Sequence, residues 1–260
     1  MAYMSITLKL MIEAVKKVGI PLSRDFNELE HLQSGVNSGA GFAAHSFEKV
    51  AKTLREELNK VKSGYMVVCS EKDIIPASGN YFAVAPIDGF GNFMHANENF
   101  AVSVALLENN QIVDAVVYNP LHDELYFTEK GCGAFKEGFR NHERIRIAGN
   151  KKADTALMLC DNNEEILQKA FKISSNIRIS GCVALDLAHL AAGKADVLIS
   201  VKNVPYALAA GMLLVKEAGG YIFALGETDV RSEDLAKVLI GGNLIATNEA
   251  LKQKIANMMA

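Results

Sequence analysis

Apolar residues recur along the first sixty positions at helical intervals. Over 5–18, Ile6, Leu8, Leu10, Met11, Val15 and Val18 form a broad apolar face broken by Lys9, Glu13, Lys16 and Lys17. That pattern predicts an amphipathic helix and is unlike a leader or a membrane segment. After Ser46, a good N-cap, the residues Phe47, Val50, Ala51, Leu54, Leu58 and Val61 keep the three–four spacing of one buried stripe. The period then shortens. β-Branched and aromatic runs at 65–69 and 81–85, bounded by Gly, Pro, Asn and Asp, read as strands. Runs at 99–108, 111–118 and 123–129, separated by Asn109-Asn110 and Asn119-Pro120, predict an antiparallel meander with tight turns.

From about residue 153 strands alternate with helices. Strands are expected at 155–160, 176–180, 195–200 and 238–242. Helices are expected at 163–171, after Gly181, at 206–220 with a Gly219-Gly220 stop, and from a Thr247 cap with Leu251, Ile255 and Met258 on one side. The chain therefore divides into 1–152, helices on an antiparallel sheet, and 153–260, of α/β type. A cleft between two such parts is the default place for a ligand.

Composition narrows the function classes. Of the 260 residues 50% are hydrophobic and 22% charged, which suits a packed globular chain with a large core. A net charge of −3 provides no overall basic field for nucleic acid or anionic lipid. The most basic stretch, "FRNHERIRI" at 139–147, is interrupted by Glu143 and reads as a solvated loop. No run approaches a membrane span. Cys69, Cys132, Cys160 and Cys182 lie far apart with no CxxC pair, which points to reduced thiols in a cytoplasmic protein.

The candidate chemistry starts at "VAPIDGFGNF", residues 84–93, where a strand runs into a Pro-Ile-Asp-Gly turn that could aim Asp88 into a cleft. "GFGNF" lacks the third glycine of a dinucleotide loop. His31, His95, His122, His142 and His189 have no ligand spacing. Cys182 sits where a helix begins, which can lower a thiol pKa, although a small buried residue is the better account. Asp186 is expected to make a structural hydrogen bond.

"APIDGFGNF", "FAVSVALLENNQIVDAVVYNPLHDELYFTEKGCGAF", "ISGCVALDLAHLAAGKADVLIS" and "YALAAGMLLVKEAGG" together resemble the inositol monophosphatase family, and in particular its bacterial SuhB-type branch. The likeness implies a mixed α and β fold layered α-β-α-β-α, a homodimer, and Mg²⁺-dependent hydrolysis of inositol or polyol phosphate monoesters. Mg²⁺ demands near-octahedral oxygen ligation, and paired ions activate water and offset charge on the phosphate.

Carried over residue by residue, the resemblance keeps Glu71, the Ile87 carbonyl and Asp88 as metal ligands. It makes Gly89, Gly181 and Cys182 the substrate-binding positions. Elsewhere the pattern is broken. Ala85 stands where the family has a bridging Asp, and Ala207 replaces the Asp of its later motif. Phe90 stands for a Thr that orients water, Lys72 for a second Glu, His45 for an Asp, and Ser200 for a Glu that binds a substrate hydroxyl. A His45/Glu71/Asp88 trio for Zn²⁺ or Mn²⁺ is a further possibility, and Lys72 could place an ammonium in the vacated cavity or project into solvent. Two readings follow: an impaired Mg²⁺-dependent phosphomonoesterase, and an inactive relative serving as a binding or regulatory protein through partner contacts. A small phosphate monoester or other anion is the expected ligand.

Overall fold

The computed structural model describes residues 4–32, 39–139, 141–231 and 233–260. Two helices come first, α1 (Ile6–Leu32) and α2 (Ala40–Val61). A seven-stranded sheet follows, built from β1 (Met66–Val68), β2 (Tyr81–Asp88), β3 (Ala101–Glu108), β4 (Gln111–Asn119), β5 (Glu124–Glu129), β6 (Ala134–Glu137) and β7 (His142–Arg144). Its strands lie side by side in chain order, with β1 parallel to β2 and each later pair antiparallel. A short helix, α3 (Phe90–Met94), stands between β2 and β3.

A second sheet comprises β8 (Met158–Cys160), β9 (Ile177–Arg178), β10 (Val197–Ser200), β11 (Tyr221–Ala224) and β12 (Leu244–Thr247), in the order β11-β12-β10-β8-β9. Around it run α4 (Glu164–Phe171), α5 (Val183–Ala191), α6 (Pro205–Glu217), α7 (Leu235–Gly241) and α8 (Lys252–Met259).

Burial resolves these elements into five layers. One face of the seven-stranded sheet packs Phe82, Val104, Val116 and Phe127 against the α1 and α2 residues Met11, Leu22, Leu54 and Leu58. The opposite face packs Ala83, Ala105, Ala115 and Tyr126 against α5 and α6. Those two helices also cover the near face of the second sheet, and α4 and α8 close its far face around Met158, Ile199, Ile245 and Ile255. The layer sequence is thus α-β-α-β-α. The alanine-rich sequences of α5 and α6 make the central layer thin enough to sit between two sheets. At Gly211 of α6 a Cβ would lie 2.4 Å from Leu187 Cβ, so glycine is required for the two helices to approach.

The meander takes the expected form, and Asn109 and Asn110 both adopt positive φ (52° and 60°), as a two-residue hairpin turn requires. Several expectations are corrected. α1 continues to Leu32 through an internal Pro21. Ser46 does not cap α2. It lies buried within that helix, its hydroxyl donating back to the Phe42 carbonyl at 3.1 Å. Within the basic stretch, 142–144 form the exposed strand β7 instead of a loop, and Arg140 lies outside the described residues. The run at 238–242 belongs to α7, which Asp234 caps by accepting the Lys237 N–H at 3.0 Å and Gly242 ends in a left-handed conformation. Thr247 belongs to β12 and donates to the Asp196 carbonyl, and Asn248 accepts the Leu251 N–H before α8. Met258 is exposed, and Met259 takes its place in the core.

Candidate active site

β2 is buried from Tyr81 to Ile87, and its pairing with β3 shifts register between Ala85 and Asp88. Pro86 cannot donate to the ladder, and the resulting bulge kinks the strand and re-aims the residue after it. That residue is Asp88. Its Oδ2 accepts the Ala184 N–H at 2.7 Å and the Cys182 thiol at 3.1 Å, both on the segment that opens α5. Gly89 follows at φ 76°, where a Cβ would meet the Asn99 carbonyl at 2.7 Å and Cys182 Cβ at 3.1 Å, so both conformation and space demand glycine. Asn92 Nδ2 donates to the Asn99 carbonyl at 2.7 Å and to the Ser180 carbonyl at 2.8 Å.

Two further carboxyl groups lie close by. Asp161, at the end of β8, accepts the Ser200 hydroxyl at 2.7 Å and the Val201 N–H at 2.6 Å. Asp186, in the first turn of α5, accepts the Ser180 hydroxyl at 2.6 Å. Burial raises all three carboxyl groups above their ordinary range, Asp186 to about 7. Asp88 also feels the charge of Asp161, and Asp186 feels both. The Cys182 side chain is 1% exposed, and burial followed by the Asp88 charge pushes its thiol well up. The lowering that a helix start can cause is overridden.

Other neighbours of this turn are apolar. Ala85 (4% exposed) and Ala207 (6%, in α6) belong with Cys182 to the hydrophobic cluster that α5 and α6 form with the two sheets. Ser103 pairs with Ala85 across the β2–β3 ladder, and its fully buried hydroxyl finds no partner among the described residues. Phe90 meets Phe47 of α2 edge to face at 5.9 Å. Phe47 in turn helps wall a cavity of about 160 Å³ with Glu48, Ala51, Arg55, Cys69, Ser70 and Tyr206. There Arg55 donates to Cys69 Sγ at 2.8 Å and reaches Asp73 at 3.4 Å. Burial pushes the Cys69 thiol up to about 11. The Tyr206 phenol is raised by burial and then by the Glu71 charge.

A model of the inositol monophosphatase family matches residues 5–259 of this chain. The chain belongs to that family. An inositol-1-monophosphatase of Mesorhizobium japonicum is 34% identical over 96% of this chain and 95% of its own length. A Nus factor SuhB of Xylella fastidiosa is 31% identical over 96% and 94%. The crystal structure of the extragenic suppressor protein SuhB from Bartonella henselae superposes with a TM-score of 0.84 at 29% identity, covering 99% of both chains. The five-layer arrangement is therefore the family fold.

Within that fold the sequence-derived positions do not all gather at one place. Asp88, Gly89, Gly181 and Cys182 come together where β2 meets α5, and Phe90 packs instead toward α2. His45 on α2 and Glu71 and Lys72 after β1 are exposed. Among the described residues no three His, Cys, Asp or Glu side chains gather as a metal-binding group, so His45, Glu71 and Asp88 do not form a trio. Ile87 is buried, and Ser200 is fully buried on Asp161. Asp161, Ser180 and Ser103 were missed by sequence reasoning. Asp161 carried one usable signal, its place at the carboxyl end of a strand in an α/β sheet, where ligand-facing residues concentrate.

Proposed function

We propose that this member of the inositol monophosphatase family hydrolyses phosphate monoesters of inositol or similar polyols weakly at best. The observation that carries this reading is the burial of Ala85 and Ala207 in one apolar cluster, at the two positions where the family resemblance calls for metal-binding aspartates. Neither methyl group offers an oxygen, so Glu71, the Ile87 carbonyl and Asp88 would leave Mg²⁺ held mostly by water. This donor set does not fit a paired-ion centre. Phe90 likewise has no hydroxyl with which to orient an attacking water.

Gly89, Gly181 and Cys182 remain the residues that would border a substrate. The surrounding carboxyl groups make the site a poor host for a phosphate unless a cation offsets their charge. A second reading, a binding or regulatory protein without turnover, draws support from the same substitutions and from a relative that carries the name Nus factor SuhB. On either reading the chain would act in the cytoplasm as a homodimer. No helix among the described residues is long and apolar enough to cross a membrane.

The deciding experiment is phosphate release from inositol 1-phosphate with Mg²⁺ or Mn²⁺. Turnover well below ~1 s⁻¹, the lower end of ordinary enzyme rates, is the expected outcome. Turnover at or above that rate, abolished by Glu71→Gln, would overturn the proposal.

A further inference from the structure

Asp88 accepts from an amide that lies 96 residues further along the chain. That amide, Ala184 N–H, belongs to the first turn of α5, whose N-cap residue Cys182 makes no capping bond through its own side chain. The first amides of a helix lack intrahelical acceptors, and a buried amide left without one destabilises the fold. A carboxylate is the strongest such acceptor, because it also meets the positive end of the helix. Asp88 supplies it from another layer of the molecule, and the Cys182 thiol donates to the same carboxyl oxygen.

Neighbouring contacts act in the same direction. Asn92, four residues beyond Asp88, holds the Ser180 carbonyl at 2.8 Å. Ser180 accepts the Cys182 N–H at 3.1 Å and donates to Asp186 at 2.6 Å, fixing the approach to α5. Gly181, at φ 76°, passes against the Asn92 side chain, where a Cβ would stand 3.2 Å from Nδ2. The Asp88-to-Asn92 turn thus grips residues 180–184 at several points, and each donor and acceptor is part of the protein.

We propose that Asp88 is a clasp: its carboxylate caps α5 in trans and locks the central helical layer to the seven-stranded sheet without any metal ion. This assignment does not depend on the phosphatase reading, because it rests on where Oδ2 is already engaged. It gives Asp88 a reason to remain beside Ala85 and Ala207 that is separate from catalysis.

The test is amide hydrogen exchange of the full chain, read by mass spectrometry over residues 180–187, in EDTA and in millimolar Mg²⁺. Wild-type protein should protect this segment equally in both. Asp88→Ala should exchange it roughly tenfold faster, the effect of one lost helix cap. Asp88→Asn, whose amide oxygen can still accept the Ala184 N–H, should recover most of the protection. If Asp88→Ala does not fold, the wild-type and Asp88→Asn comparisons still decide the matter. Protection that appears in the wild type only when Mg²⁺ is added would overturn the clasp, as would unchanged exchange in Asp88→Ala. Fast turnover with full protection in EDTA would overturn the proposed loss of activity and leave the clasp standing.

Discussion

At Ser103 a buried hydroxyl stands beside Ala85 across the ladder and finds no partner among the described residues. A carboxylate at 85 would give it an acceptor. Burying that charge without a counter-ion costs several kcal/mol, so Ala85→Asp is expected to lower stability by ~2–4 kcal/mol in EDTA. With Asp also at 207 the loss should be recovered on adding Mn²⁺, because a ligand that binds only the folded state stabilises it. Thermal melts of the double variant that do not move with Mn²⁺ would show that 85 and 207 do not face a common cation site. The Pro-Ile-Asp-Gly turn was legible because Pro and Gly constrain the backbone whatever surrounds them. The partners of Asp88 were not, since nothing local in the sequence marks Ala184 as the amide it would meet. Glu71 and Lys72 show the same limit: their residue types are plain in the sequence, but their exposure is set by the fold.

At the scale of elements, β4 and β5 carry Asp114 directly opposite Glu129, an unfavourable pairing of like charges. Asp114 is 6% exposed with Oδ1 unpartnered among the described residues, and Glu129 accepts the Ser5 N–H just before α1. Burial first, then the charges of Glu129 and Glu108, push the Asp114 carboxyl up to about 6, against a smaller opposing effect of Lys62. The folded state therefore holds this proton more tightly than the unfolded chain. Its contribution is fully present below pH ~4 and is lost as pH rises through about 6. Asp114→Asn should accordingly raise stability by ~1–3 kcal/mol at pH 8 and make no difference near pH 4, as denaturant melts at the two pH values would show. An equal effect at both would disprove the assignment. Strand and helix periods were readable for the meander and for α2, where long stripes leave little choice. Val238-Leu239-Ile240 was not, because a short apolar run fits either period. The cap at Asp234 settled it as helix.

For the molecule as a whole, Glu124 of β5 is a hub between the seven-stranded sheet and the central layer. Its carboxylate accepts from Lys136 at 2.7 Å, Lys194 at 2.6 Å and the Tyr126 hydroxyl at 2.7 Å, and it meets His189 of α5 at 3.2 Å. Burial alone would raise this carboxyl, but those four partners hold it well below the usual range. Glu124→Gln should cost ~1–2 kcal/mol at neutral pH, the smaller end because both lysines remain partly in water. The difference should shrink as pH falls through the ordinary carboxylate range. A full-sized difference persisting at pH 3 would mean that packing, not charge, is responsible.

The central position of α5 and α6 has a consequence for how the chain is made. Residues up to 144 leave the ribosome first and can pair the whole seven-stranded sheet. The face of that sheet lined by Ala83, Ala105, Ala115 and Val117 is covered by residues of α5 and α6, and α6 ends at Glu217. Roughly 70 more residues must therefore be synthesised before the sheet is enclosed, several seconds at ~5–20 residues per second. During that interval the nascent chain displays a flat apolar surface. Chaperone demand and misassembly are expected to concentrate there, before the finished fold exists.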